Sequence, residues 1–255
     1  MPRLDRRYAL AQARLQARHG RRPADADWAA LAATRDLDTT LALLADWPVA
    51  GWTRRLGRRP APADVERQAR QAWLDEVREV ARWLPAPDRP VVEWLGWLPW
   101  VPALEKLARG GRAPDWARDD PLLGPVVASD LPARATALGR TGLAPLAAGF
   151  DPGGSPAAVW YAHWVALWPP RRAVRAPLEA VSLELRRAIG RLAALPPEVG
   201  SDAVARDLGR RLEFAFRRHP LAPAGVVAWL GLRALAWRRL RGALVTRALA
   251  VEAAA

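Results

Sequence analysis

The chain has 255 residues, 51% of them apolar and 25% charged, a globular composition with room for a core. Its formal charge is +13, from 39 cations against 26 acids, and only Lys106 among the cations is lysine, so the arginines reflect a compositional bias before they reflect a function. The absence of cysteine removes disulfides, thiolate metal sites and cysteine nucleophiles, the three histidines fit no metal-ligand spacing, and no G-x-x-x-x-G-K-[ST] sequence is present for P-loop nucleotide hydrolysis.

The N-terminal Met1–Arg7 is charged and no clean apolar run comes after it, so no signal peptide is expected. Residues 4–19 place Leu4, Tyr8, Ala11 and Leu15 on one helical face, with Gly20 as a stop. Asp25 or Asp27 can cap a helix carrying Trp28 and Leu31. Asp36 or Asp38 can cap another carrying Leu41 and Leu44, which Trp47-Pro48 ends. Residues 63–84 give the clearest amphipathic pattern. Val65, Ala69, Ala72, Trp73, Val77, Val80 and Leu84 face one way, while Asp64, Glu66, Arg67, Arg70, Asp75, Arg78 and Arg82 cover the rest. Prolines 85, 87 and 90 close it.

An apolar block comes next over 91–109, broken at Pro99 and Pro102, with Trp94, Trp97 and Trp100 along one flank as core residues. Residues 113–154 hold six prolines, many glycines and a net charge of −2, against +6 for 1–112 and +9 for 155–255. They read as irregular structure with one or two short helices, joining an N-terminal helical unit (1–112) to a C-terminal one (155–255). Helices resume over 156–168, 174–194, 202–218 and 223–250, with Trp160, Trp164 and Trp168 on one face and Ser201-Asp202 as a cap pair. Residues 155–170 contain no charge, but they are short for a bilayer and end in Pro-Pro. They read as a buried core helix, with membrane contact as the alternative. No segment alternates with period two, so the fold class expected is all-α, helical units packed as a bundle or funnel with no sheet.

Residues 91–96 read VVEWLG and residues 226–231 read VVAWLG, five matches in six. With a three-residue shift, Lys106 aligns with Arg238, Arg109 with Arg241 and Gly110 with Gly242. Each copy comes after a charged amphipathic helix that stops at a proline, Pro85 or Pro220, which points to duplication of a helical unit.

Four stretches carry a resemblance to a known family: Tyr8 to Arg18 (YALAQARLQAR), Trp28 to Pro48 (WAALAATRDLDTTLALLADWP), Trp100 to Gly110 (WVPALEKLARG) and His219 to Arg241 (HPLAPAGVVAWLGLRALAWRRLR). In this order they resemble the central-stalk connector of rotary V/A-type ATPases, the C-type subunit of the bacterial and archaeal enzymes and the d-type subunit of the eukaryotic ones. The third stretch lacks the Asp and Asn of the family's motif; in the fourth, Trp229 stands for a Tyr and Ala234 to Trp237 lack the acidic residues. The resemblance covers both ends of the chain and leaves out 113–154. It implies a shortened funnel of repeated helical units on the cytoplasmic face of a membrane rotor ring. Such a subunit would receive the central shaft and pass torque for proton or sodium transport, with no cofactor and no catalytic site of its own.

The candidate partner contacts are the basic helix ends, Lys106 and Arg109 in one copy and Arg238, Arg239 and Arg241 in the other; the helix macrodipole alone also favours cations there. Asp115, Asp119 and Asp120 read as a solvated acidic loop, Asp151 to Ser155 as a turn, and His163 as a satisfied core histidine. The alternative to a connector is a basic nucleic-acid-binding or peripheral membrane scaffold, drawn to polyanions by its charge. Against nucleic acid, the cations are interleaved with acids and no known binding motif appears.

Overall fold

A computed structural model describes residues 4–47, 53, 55–57, 59–196 and 200–253. Among them are twelve α-helices, several short 3-10 segments and no strand, so the fold is all-α. The side chain of Leu4, and Pro48, lie outside the described residues. No helix among them is long and apolar enough to cross a membrane.

Helix α1 (Leu4–Gly20) buries Tyr8, Ala11 and Leu15, the expected i, i+3, i+4 stripe. Helices α2 (Asp25–Ala33) and α3 (Leu37–Ala45) form a hairpin with distinct starts. In α2 the cap position is Ala24, whose amide donates to the Asp27 carboxylate at 2.7 Å; in α3 Asp36 is the cap and accepts from the Thr39 amide at 2.7 Å. The hairpin buries Trp28, Leu31, Leu37, Leu44 and Trp47 in a small second core, against Val65 and Ala72 of α4 (Pro62–Arg82) and Leu240, Leu244 and Ala248 of α12 (Pro223–Ala253). Leu41 is only half-buried there. Each of these large side chains contributes about 2 kcal/mol of burial before the entropy of ordering is subtracted.

Helix α4 carries the expected apolar stripe, every member of it buried. Neighbours surround it on more sides than the stripe implies. Arg70 and Glu76 are buried too, which corrects the reading of Arg70 as part of a solvated face. The chain then runs through α5 (Arg89–Glu93), a 3-10 segment (Trp94–Trp100) and α6 (Val101–Ala108). A 3-10 helix has three residues per turn, so Trp94, Trp97 and Trp100 stack along one edge. Trp94 and Trp100 are buried and Trp97 is half-buried. Pro99 is accommodated inside that segment and Pro102 lies in the first turn of α6.

Residues 113–154 contain α7 (Gly124–Val127), α8 (Leu131–Leu138) and 3-10 segments at Asp115–Ala117 and Ala144–Phe150. Pro125, Pro132 and Pro145 each sit in the first turn of an element, where a missing N–H costs nothing. Ala117, Leu123, Val126, Leu138, Leu143 and Leu146 are fully buried in the main core, beside residues of α1, α4, α9 (Pro156–Ala166), α10 (Arg172–Ala193), α11 (Asp202–Arg218) and the first half of α12. Trp160, Trp164 and Trp168 are buried at α9 as expected.

The two VV-x-WLG copies occupy comparable packing positions in different local structure. The first spans the end of α5 and the 3-10 segment, while the second lies inside α12. A Cβ on Gly96 would lie 2.7 Å from Leu74 Cδ1 on α4, and one on Gly231 would lie 2.8 Å from Leu212 Cδ1 on α11. In each copy, then, the motif glycine lets the chain lie close against a leucine of the preceding charged helix. The copies part at their ends. Gly110 takes φ +74° and closes α6, with the Gly111 amide donating to the Lys106 carbonyl at 2.9 Å and the Gly110 amide to the Leu107 carbonyl at 3.1 Å. Gly242 is helical, and α12 continues to Ala253 because Leu244 and Ala248 have the α2–α3 hairpin to pack against.

Candidate interaction site

The five cations picked out in the sequence fall in two separate places. Lys106 and Arg109 lie exposed at the end of α6, where Arg109 donates to Glu105 at 2.9 Å. Glu105 is itself occupied, accepting from the Ser155 hydroxyl and from the Ala157 amide at 2.7 Å, so it ties α6 to the start of α9. Burial raises its pKa, but these donors outweigh that and hold it below the usual carboxylate range. Arg238, Arg239 and Arg241 lie in the middle of α12, not at a helix end, and point to different neighbours. Arg238 donates to the Ser201 hydroxyl, Arg239 lies 4.6 Å over the Trp28 ring, and Arg241 donates to Glu66. The internal repeat aligns four of the five in sequence, and among the described residues the fold gives every one but Lys106 a partner within the chain.

A connected set of charges runs from Arg241 inwards, with Glu66 half-buried and Arg70 and Asp120 buried. Glu66 bridges Arg241 and Arg70, the latter at 3.4 Å. Arg70 is 3% exposed at its side chain, lies 3.4 Å from Asp120 and sits 3.3 Å from the centre of the Trp116 ring. Desolvation lowers the Arg70 pKa to about 10 against the opposing pull of Asp120 and Glu66. Asp120 also accepts from the Trp100 indole at 3.1 Å and from the Leu122 and Leu123 amides at 3.0 and 3.2 Å. The acidic cluster is therefore not one solvated loop. Asp115 is exposed and pairs with Arg112, Asp119 is exposed, and Asp120 anchors the core. The remaining expectations divide. Asp151 to Ser155 is a turn, with Gly153 at φ +76° and Ser155 capping α9. His163 is half-buried against the Trp94 ring at 4.2 Å, at the edge of the core and not within it.

The concave feature that the sequence did not mark is a cleft of about 1350 Å³ along the polar face of α4, walled by α1, the end of α3 and the 3-10 turn at Trp97. Six arginines and five carboxylates line it, in near balance. Two carboxylates of α4 brace the walls: Glu79 takes Arg18 of α1 at 2.6 Å, and Glu76 takes Arg233 of α12 at 2.8 Å. Arg21, Arg78 and Arg82 have no carboxylate within ion-pair reach among the described residues, and Arg78 lies 6.0 Å from the Trp97 ring. None of the five sequence candidates lines this cleft. Among the described residues no group of three or more His, Asp or Glu side chains is placed to hold a metal ion. A wide polar cleft with paired walls and three unpaired guanidinium groups suits a large charged surface better than a small apolar ligand. The chain matches no family model, no curated protein and no solved structure.

Proposed function

We propose that the protein is a non-catalytic connector of the rotary V/A-type ATPase kind, linking a central shaft to a membrane rotor ring from the cytoplasmic side. The observation that carries this reading is the repeated helical unit. Both copies seat a VV-x-WLG glycine on a leucine of the preceding charged helix, Gly96 on Leu74 and Gly231 on Leu212. That correspondence supports the duplication on which the family resemblance rests. The polar cleft fits the role of receiving a shaft, because its unpaired Arg21, Arg78 and Arg82 offer fixed charge to a helical partner. Torque transfer requires a body that does not shear. The ion pairs Glu79–Arg18 and Glu76–Arg233 join α4 to α1 and α12, and Arg70–Asp120 joins it to the 113–154 segment.

The test is purification from the native source with mild detergent. Rotor-ring and shaft subunits are expected to accompany the tagged chain, and Arg78→Glu/Arg82→Glu is expected to release the shaft. An intact rotary complex that lacks this chain overturns the proposal. The alternative, a nucleic-acid or peripheral membrane scaffold, is weakened by how many arginines are already held: Arg18, Arg191, Arg211, Arg217, Arg233 and Arg241 each pair with a carboxylate. Duplex DNA binding with a steep salt dependence would favour it.

A further inference from the structure

A second concavity lies between α10 and α11 and shares no residue with the cleft, so its use is independent of the proposed connector role. The groove holds about 720 Å³. Buried Val181 of α10 and Leu212 of α11 lie at its base, exposed Ala176 and Ala180 stand one turn apart on its α10 side, half-buried Ala215 lies on its α11 side, and Phe214 is 62% exposed at the rim. Small residues along the sides of a two-helix groove leave space for a third helix to approach to the usual interaxial distance of about 8–10 Å. Leucine at those positions would fill it.

Around the groove four arginines share two carboxylates. Asp207 is used up, accepting from Arg191 at 2.7 Å and from Arg210 and Arg211 at 3.2 Å. Glu184 is used up by Arg187 at 3.1 Å and Arg211 at 3.2 Å. At the other end Arg218 has no carboxylate within ion-pair reach among the described residues and lies 5.8 Å from the Phe214 ring. A second copy of the chain would bring arginines against arginines. A flat lipid surface would not reach the buried Val181 and Leu212 at the base of the groove.

We propose that this groove docks a helix of a partner protein whose apolar stripe is flanked by glutamate or aspartate. The apolar stripe lies on Ala176, Ala180 and Ala215 beside Phe214, and the acidic flanks meet Arg218 and the arginines that Asp207 and Glu184 leave in surplus. The test uses the intact chain and a fluorescent peptide of about 18 residues, long enough for five helical turns, with leucine at i, i+3, i+4 and i+7 and glutamate beside them. A twin peptide carries lysine for glutamate, and vesicles with and without phosphatidylserine form a third arm. The glutamate peptide is expected to bind at least about tenfold more tightly than its twin. Ala180→Trp, which fills the groove from an exposed position, and Arg218→Glu are each expected to weaken it about tenfold with the thermal unfolding curve unchanged. Equal binding of the two peptides, or binding indifferent to both substitutions, overturns the proposal. So does phosphatidylserine-dependent vesicle binding in place of peptide binding, or self-association that Ala180→Trp abolishes.

Discussion

Asp120→Asn keeps the shape of a buried acceptor and removes the charge that faces Arg70. Two unit charges 3.4 Å apart attract by about 5 kcal/mol at an effective dielectric of about 20. Glu66, also at 3.4 Å, continues to compensate Arg70, and the Trp116 ring lies against the guanidinium at 3.3 Å. The expected net loss is therefore about 3 kcal/mol, at the lower end for breaking a buried pair from one side. Arg70→Met keeps the aliphatic stem and leaves Asp120 with its indole and two amide donors, so about 2 kcal/mol is expected. In the double variant neither charge is stranded, and the combined loss should fall short of the sum by about 2 kcal/mol. Urea unfolding monitored by tryptophan fluorescence reads all three variants, and the thermal midpoint of Asp120→Asn should drop by about 6–12 °C. The reasoning is refuted if Asp120→Asn stays within about 1 kcal/mol of the parent. It is also refuted if the two single losses add to within about 0.5 kcal/mol.

The same packing sets three further outcomes. Gly96→Ala and Gly231→Ala each force a leucine methyl aside and should cost a similar amount, about 1–2 kcal/mol. Gly242→Ala, in helix interior with nothing within 4 Å of an added Cβ, should stabilise by about 0.5–1 kcal/mol; equal signs at all three sites in urea titrations would contradict the packing. Glu213 is half-buried. Desolvation raises its pKa, but donors from Arg22 and Arg217 and the nearby His19 outweigh this and hold it at about 2 against the usual 4.5. Because the folded value is depressed, its contribution is present above pH 4.5 and is lost as pH falls towards 2. After discounting for partial solvent screening this is about 1–2 kcal/mol, so Glu213→Gln should flatten the acid limb of a stability–pH curve, and an unchanged limb would count against the assignment. Arg247→Met should free the α2–α3 hairpin, because Arg247 donates to the Leu31 and Thr34 carbonyls at 2.8 and 2.6 Å across from α12. Hydrogen exchange at residues 25–45 should accelerate about thirtyfold, the equivalent of about 2 kcal/mol, while α9 stays protected.

The local features were legible in the sequence wherever a short-range rule decides them. The apolar stripe of α4 from Val65 to Leu84, the cap at Asp36, the turn at Asp151 to Ser155 and the tryptophan face of α9 all come from spacing and residue type, and all stand in the fold. The short helices expected in 113–154 are there as well, and each of Pro125, Pro132 and Pro145 opens a short element. What spacing did not convey is that this segment delivers six fully buried side chains to the main core. A turn-rich composition reports backbone freedom and is silent about which isolated leucines will meet a neighbour.

The charged residues were the hardest to read, for a related reason. Helical periodicity sorts a residue into an apolar or a polar face of its own helix, and Arg70 lies on the polar side of that division. Its burial is decided by a different segment, the turn that brings Trp116 and Asp120 over it some fifty residues later. The same holds for Arg239 on Trp28, Arg241 on Glu66 and Arg247 on the end of α2, where the partner comes from a distant helix. Arginine is suited to such places, because its planar group can lie on an aromatic face and hold a carboxylate at the same time. An arginine-rich composition that first reads as surface charge therefore serves in part as internal cross-bracing around α4. Among the arginines without a carboxylate partner, Arg21, Arg78 and Arg82 lie in the cleft and Arg218 lies beside the α10–α11 groove. The net charge of the chain could not have located them. Their place in the lining of the two concavities does.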